Sequence, residues 1–387
     1  MTVRRVRAAS PNLAMSALLL VTQVACDPVS RVLPSHDGGT VHPDPASFAT
    51  GGSSPHVLRQ DAFGESKPFP DLGFGERLVR VGELEGPSEY VFGKIQAIDV
   101  EREGTIAVLD SRYHDLRLFD LSGRLIARAG GAGAGPGEFA VPQALAIDST
   151  GEIIVGDLRL RRLTAFHRRS GEISLVRTVD LVDIIPYDLC LLDGYVVLHG
   201  LHGGSVSGSV LHVFDRNLAA IRSFGALYDT DNPIIRRRIS WGRIACLPPA
   251  TIILVSGRGP MLQAYTLDGT LRWSVWIESY RPFPYIEYAD RVVNEMPDDG
   301  GDHLVGITTA PDGWAIVQIG TTTAESLEAG IPFTRLVTYA LHPESQSTVY
   351  LGDHLPQVVH VGSNHAVTLE ELPFPMYEVH ELIKPVR

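Results

Sequence analysis

Two stretches of this chain repeat each other, and their spacing constrains the fold more than any other feature. The first runs Ala97-Ile98-Asp99, Gly104, Ile106-Ala107-Val108-Leu109-Asp110, Leu116, Leu118-Phe119 and Gly123. The second runs Ala146-Ile147-Asp148, Gly151, Ile153-Ile154-Val155-Gly156-Asp157, Leu163, Phe166 and Gly171, with Asp157 standing 47 residues after Asp110. Each copy reads as a strand, a glycine turn, a buried β-branched strand, a turn capped by aspartate, and two further strands. Asp110 and Asp157 fall where a strand ends, so their expected work is to accept backbone N–H groups of the next turn.

Four short antiparallel strands per repeat make a propeller blade. Weaker copies follow. One holds Asp188-Leu189-Cys190, Tyr195-Val196-Val197-Leu198 and Leu211-His212-Val213-Phe214; the next holds Arg243-Ile244-Ala245, Thr251 to Val255 and Leu271-Arg272-Trp273. A fifth contains Leu304 to Ile307, Trp314 to Val317 and Leu336 to Tyr339. The last has three strands only: Gln357 to Val361, Ala366 to Leu369 and Tyr377 to Leu382. An unassigned strand, Arg77 to Val81, precedes the first copy and supplies the missing fourth, which removes the exposed edges of an open ring. The expectation is an all-β, six-bladed β-propeller over residues 71–387, closed by an N-terminal strand. The run from Gly135-Pro136-Gly137-Glu138-Phe139 to Gly171 resembles the NHL-repeat family of β-propellers. That resemblance implies protein, glycan or nucleic-acid ligands in different members.

Ahead of the repeats, Arg4, Arg5 and Arg7 precede a short apolar stretch ending at Val24-Ala25-Cys26. It is too short to span a bilayer and has the length of a signal-peptide core. Residues 1–25 therefore read as a signal peptide. Cys26 resembles the lipidated cysteine of a bacterial lipoprotein, which implies a membrane anchor in the cell envelope, in the periplasm or on the outer membrane. Residues 26–70 are rich in Pro, Gly, Ser, Asp and His and read as a flexible tether. Cys190 and Cys246 have apolar flanks and read as small buried thiols, since strands of neighbouring blades are expected to lie too far apart for a disulfide. The formal net charge of -12 disfavours a nucleic-acid partner.

The long insertions fall in two classes of connection, those between second and third strands and those leading to the next blade. Both classes lie on one face of a propeller. They are 199–209, 226–240, 278–302 and 321–333, and recognition on a rigid scaffold usually sits on such loops. Two have the composition of a binding surface: Arg236 and Arg237 within Arg236-Arg237-Arg238, and Tyr280, Arg281, Phe283 and Tyr285 within Tyr280 to Tyr288. Arg112, His114 and His202 complete the ligand-binding candidates. The alternative chemistry is a metal-dependent lactonase or lyase with a divalent ion in the channel, for which His199, His202 and His303 are the candidate ligands. The chain carries no G-x-S-x-G, H-E-x-x-H, P-loop or paired CxxC. The favoured reading is a monomeric, non-catalytic, cofactor-free propeller that binds an envelope protein or glycan.

Overall fold

A computed structural model describes residues 39–48, 55–58, 72–203, 208–288 and 290–383. The chain is a six-bladed β-propeller. Strands are lettered a to d from the hub outward. Blade 1 comprises Ile95–Val100, Ile106–Asp110, Asp115–Phe119 and Leu125–Gly130; blade 2 comprises Pro142–Ile147, Glu152–Asp157, Arg162–Arg169 and Glu172–Asp180. Blade 3 comprises Ile184–Leu192, Tyr195–His202, Ser209–Phe214 and Ala220–Ala226; blade 4 comprises Gly242–Leu247, Thr251–Ser256, Met261–Thr266 and Leu271–Ile277. Blade 5 comprises Gly301–Ala310, Trp314–Thr322, Arg335–His342 and Ser347–Gly352.

Blade 6 takes strands a to c from Gln357–Val361, His365–Glu370 and Met376–Ile383. Its strand d is Gly73–Val81, paired antiparallel with Met376–Ile383, so the N-terminal strand closes the ring as expected. Glu378 on strand c holds Arg77 and Arg80 of that closing strand at 2.9 and 2.6 Å. The a strands of consecutive blades touch all the way round and form the wall of the channel. Between the blades lie apolar layers, each fed by the β-branched b strands. Ile106, Val108, Ile153, Val155, Ile253 and Val317 are all fully buried.

The two faces of the disc differ. The a–b and c–d turns are short. Gly104 and Gly151 sit in the first two a–b turns at φ of 96° and 85°, a left-handed conformation that favours glycine. The opposite face carries the b–c and d–a connections, and every long insertion lies there. Between blades 3 and 4 the insertion forms a helix, Pro233–Ser240, capped by Asn232, whose Oδ1 accepts from Ile234 and Ile235 N–H. Between blades 4 and 5 it forms strands Tyr285–Glu287 and Val292–Asn294.

Two expectations need correction. The described parts of the stretch read as a free tether are docked. Gly39–Val41 adds a third strand beside Tyr285–Glu287, and His56–Leu58 runs parallel to strand d of blade 4. Phe48 packs among Tyr228, Ile235, Ile239, Met261, Tyr285 and Val292. Asp229 N–H donates to the Ser47 carbonyl at 2.8 Å, and the Tyr228 hydroxyl donates to Asp44 at 3.1 Å. Average composition hid this because two apolar residues, Val41 and Phe48, make the contacts. The second correction concerns Cys190 and Cys246, which form a disulfide joining strand a of blade 3 to strand a of blade 4. Blades splay outward, but their a strands converge at the hub, where these Cα atoms lie 5.7 Å apart. The signal peptide and Cys26 lie outside the described residues.

Candidate ligand-binding face and channel mouth

In blades 1 and 2, the last residue of strand b is the expected aspartate, and it organises the connections above it. Asp110 accepts N–H groups from Gly93, Lys94, Arg112 and Tyr113 at 2.7 to 3.1 Å. Asp157 accepts from Ala140, Val141, Arg159 and Leu160 at 2.8 to 3.0 Å. Each carboxylate thus ties the incoming d–a connection to its own b–c turn. A buried arginine on strand c completes each arrangement by donating to connector carbonyls. Arg117 reaches those of Glu89 and Val91, and Arg162 reaches those of Ala134, Gly135 and Glu138.

These contacts place two of the candidates in the blade 1 turn. Arg112 is exposed and lies over Gly93, where an added Cβ would come within 2.8 Å of the arginine's own Cβ. His114 adopts a left-handed φ of 58°, and its carbonyl accepts the Gly131 N–H. Its ring Nδ1 is buried and makes no hydrogen bond.

The aromatic loop behaves differently from its composition. Tyr280, Phe283 and Tyr285 are 7%, 6% and 0% exposed; Tyr280 packs into the core between blades 4 and 5, and Tyr285 into the insertion core with Phe48 and Ile235. They are not presented as anchors, because a connection of this length must bury apolar groups to hold its shape. Arg281 is similarly engaged. Its N–H donates to Asp302 at 2.8 Å, and its guanidinium reaches the Asp299 carbonyl and Thr321. In the helix, Arg236 donates to the Thr230 carbonyl and Arg238 to Asn294. Arg237 is exposed at its outer end and lies against the Tyr187 hydroxyl on strand a of blade 3.

The three metal-ligand candidates are each engaged within their own blade. His199 Nδ1 meets the Val210 carbonyl at 2.9 Å, His303 Nδ1 meets Thr322 at 3.2 Å, and His202 stacks edge-on against His212. Burial pushes His199 and His303 down to about 4, so both are neutral at pH 7. Among the described residues, no group of three or more His, Cys, Asp or Glu side chains is placed to hold a metal ion.

Sequence reasoning missed the charged groups in the channel. Lys94 leads into strand a of blade 1, Arg243 sits near the start of strand a of blade 4, and Asp188 lies on strand a of blade 3. Glu371 follows strand b of blade 6. Blades 1 and 4 are opposite each other in a ring of six, so their a strands face across the channel. Burial pulls the Lys94 ammonium below its ordinary pKa; Glu371 opposes this and Arg243 adds to it. Burial raises Asp188, with Arg243 opposing, and raises Glu371, with Lys94 opposing. Deeper in, Asp99 is raised to about 6, chiefly by burial. Asp188 also accepts the Ile244 N–H of blade 4 at 2.9 Å, and Asp99 accepts the Ile147 N–H of blade 2 at 2.8 Å. These carboxylates stitch neighbouring hub strands together. In sequence Asp99 and Asp188 stand in strands of the repeat copies with no role of their own. Only ring closure brings them together.

Exposed large apolar side chains divide by place. Leu84, Tyr113, Val182, Ile234, Val293, Leu327, Ile331 and Leu372 all belong to connections on the insertion-bearing face. The remainder, Leu78, Leu175, Val176, Ile221 and Ile383, lie on outer strands or a blade edge. None of these exposed side chains lies in the turns of the opposite face. That face has a cleft of about 360 Å³ between the turns of blades 2 and 3. Its main polar groups are already used: Asp148 caps its own turn through the Thr150 and Glu152 N–H groups and pairs with Arg216 at 3.7 Å.

Residues 77–225 match a family described as a 6-bladed beta-propeller, DUF5128. No curated protein matches the chain. Among solved structures, a member of the duf4221 family from Bacteroides vulgatus is 10% identical with a TM-score of 0.54, over 81% of this chain and 98% of that one. A candidate exported protein from Bacteroides fragilis is 11% identical with a TM-score of 0.52, over 85% and 99% of the respective chains. At such identities the likeness is one of fold alone. No helix among the described residues is long and apolar enough to cross a membrane.

Proposed function

We propose that this chain is an exported, lipid-anchored binding propeller that recognises an envelope protein or glycan through its insertion-bearing face. The observation that carries this reading is that most exposed large apolar side chains lie in the connections of that face and none lies in the turns of the other. A rim that mixes such groups with charge has the make-up of a recognition surface. Two further features support the setting. A disulfide such as Cys190–Cys246 persists in oxidising compartments. Cys26 lies 13 residues before the docked strand at Gly39. A lipid there would hold blade 4 within roughly 45 Å of the bilayer even with the intervening chain fully extended.

Site-specific photo-cross-linking in the native envelope tests the reading. Cross-linkers at Tyr113 and Leu327, on the insertion-bearing face, should give discrete adducts. Those at Ser170 and Asn217, on the opposite face, should not. Equal labelling from both faces, or none from Tyr113 and Leu327, overturns the proposal. Mass spectrometry of the mature protein tests the anchor: a diacylglyceryl adduct on Cys26 is expected, and an unmodified N-terminus further along refutes it.

A further inference from the structure

Residues 39–48 lie across the insertion between blades 4 and 5 as an added peptide would. Gly39–Val41 pairs with the edge strand Tyr285–Glu287, with Gly39 beside Glu287, Thr40 beside Ile286 and Val41 beside Tyr285. Beyond that strand the grip rests on two side chains. The Asp44 carboxylate accepts the Tyr228 hydroxyl at 3.1 Å, and Asp229 N–H donates to the Ser47 carbonyl at 2.8 Å. The Phe48 ring enters a pocket, edge-on to Tyr228 at 4.9 Å and to Trp276 at 6.2 Å. Gly259 leaves room for it, since a Cβ there would stand 2.8 Å from Phe48 Cζ. An edge strand that takes an extended chain, with pockets for spaced side chains, has the geometry of β-augmentation.

The resident segment does not use everything the groove offers. Thr40, Ile286 and Val293 are register partners and share one face of the three-stranded sheet. Ile286 is half-buried and Val293 exposed, and the polar Thr40 ends their row. Ile234 is also exposed, on the helix whose cap Asn232 bonds Glu287 at 2.8 Å. An aliphatic residue at the Thr40 register would complete an apolar cross-strand row that the chain's own segment leaves open. Gly39 and Thr40 are themselves exposed, so the leading strand is the weakest part of the hold. We infer that this groove is a protein-recognition site, which residues 39–48 cover as an intramolecular ligand. The partner that displaces them is an extended protein segment with an aliphatic residue at the Thr40 register. An aspartate follows four residues on and an aromatic residue eight on, matching Asp44 and Phe48. This rests on the reading of the insertion-bearing face as the recognition surface, and it narrows the partner from protein or glycan to protein.

Fluorescence anisotropy on the full mature protein tests the inference with two labelled peptides: residues 39–48, and the same peptide carrying Thr40→Ile. A Phe48→Ala protein has a loosened resident segment, so it should bind the first peptide about tenfold more tightly than the unaltered protein does. The Thr40→Ile peptide should bind about threefold more tightly than its parent. Peptides carrying Asp44→Ala or Phe48→Ala should each bind about tenfold more weakly. Tying the segment to its edge with a disulfide, through Thr40→Cys and Ile286→Cys in the Phe48→Ala protein, should abolish binding. Circular dichroism checks that the ring still forms. A second protein variant, Asp44→Ala/Phe48→Ala, covers a segment that one substitution fails to loosen. Equal affinity for the unaltered protein and both variants, a Thr40→Ile peptide no better than its parent, or binding that survives the disulfide overturns the inference. No envelope component enters this measurement. Adducts at Tyr113 and Leu327 without peptide binding would therefore sink the groove and leave the rim reading standing.

Discussion

Blades 1 and 2 close their upper face with acceptors, whereas blades 4 and 5 close it with donors. The last residue of strand b is Asp110 or Asp157 in the first pair, and each takes four backbone N–H groups from short connections. In blade 4 that residue is Ser256, whose hydroxyl donates to the Ile239 carbonyl at the end of the insertion helix, at 2.7 Å. In blade 5 it is Thr322, which donates to the Pro332 carbonyl at 2.9 Å. The physical reason lies in what each connection leaves unpaired. A tight turn points N–H groups inward, while a helix end or an excursion leaves carbonyls over. The repeat is therefore kept where connections are short and rewritten where they are long.

The hubs of the two regions differ as well. Asp99 links the hub strands of blades 1 and 2 by a hydrogen bond, supported by an ion pair between Glu101 of blade 1 and Arg168 of blade 2 at 2.8 Å, whereas blades 3 and 4 have the matching Asp188 bond plus the Cys190–Cys246 disulfide. If the insertion-bearing half needs that extra tie, removing it should have the largest effect. The crosslinked residues are 56 apart in sequence. For a loop of that size, chain entropy gives about 4 kcal/mol. The double variant Cys190→Ala/Cys246→Ala should lose close to this amount in denaturant unfolding, and hydrogen exchange should quicken first in blades 3 and 4. Uniform quickening in all six blades would break the comparison.

Acceptor and donor closures should also differ in strength. Asp157→Ala leaves four N–H groups without their charged acceptor and should cost about 3 kcal/mol. Ser256→Ala removes one neutral donor and should cost about 1 kcal/mol. Equal losses in urea unfolding would mean that the insertions are held by something other than this contact. The docked N-terminal segment is the obvious candidate. Phe48→Ala removes a nearly buried ring from the insertion core and should cost about 2 kcal/mol. Protection from exchange should fall in the helix Pro233–Ser240 and leave blades 1 and 2 untouched.

How much of this was legible before folding follows the same division. In blades 1 and 2 the sequence carries its own register, because Ala-Ile-Asp, Gly and a β-branched run ending in Asp each have a local structural cause. The closing strand was legible because Arg77 to Val81 is a strand-like run that no copy claims and the last copy lacks its fourth strand. In the insertions, Tyr280, Phe283 and Tyr285 look the same whether they face solvent or a private core, and only tertiary contacts decide. The channel charges were illegible for a stronger reason. Lys94, Asp188, Arg243 and Glu371 lie up to 277 residues apart and meet only after six blades close. The disulfide was misjudged on the same account, since convergence at the hub is a property of the ring and not of any blade.

The smallest effect concerns acid, and it has opposite signs for the buried histidines of blades 3 and 5 and for Asp99 of blade 1. Burial holds His199 and His212 in blade 3 and His303 in blade 5 at about 4, below the ordinary histidine value of 6.5. Because these groups bind protons more readily when unfolded, they weaken the fold as pH falls from 6.5 toward 4. The change between pH 7 and 6 should be about 0.7 kcal/mol per histidine. Asp99 in blade 1 is raised from 3.8 to about 6, so it binds its proton more readily when folded. Its contribution strengthens as pH falls through the window from 6 to 4. Acidification from pH 7 to 6 should therefore lower amide protection factors in blades 3 and 5, once the slower intrinsic exchange at pH 6 is divided out, while leaving those of the hub of blades 1 and 2 steady. Asp99→Asn removes the opposing contribution, so the variant should lose stability more steeply on acidification than the parent. An unchanged slope would show that Asp99 titrates as an ordinary carboxylate, and that the two halves of the ring do not differ in this respect.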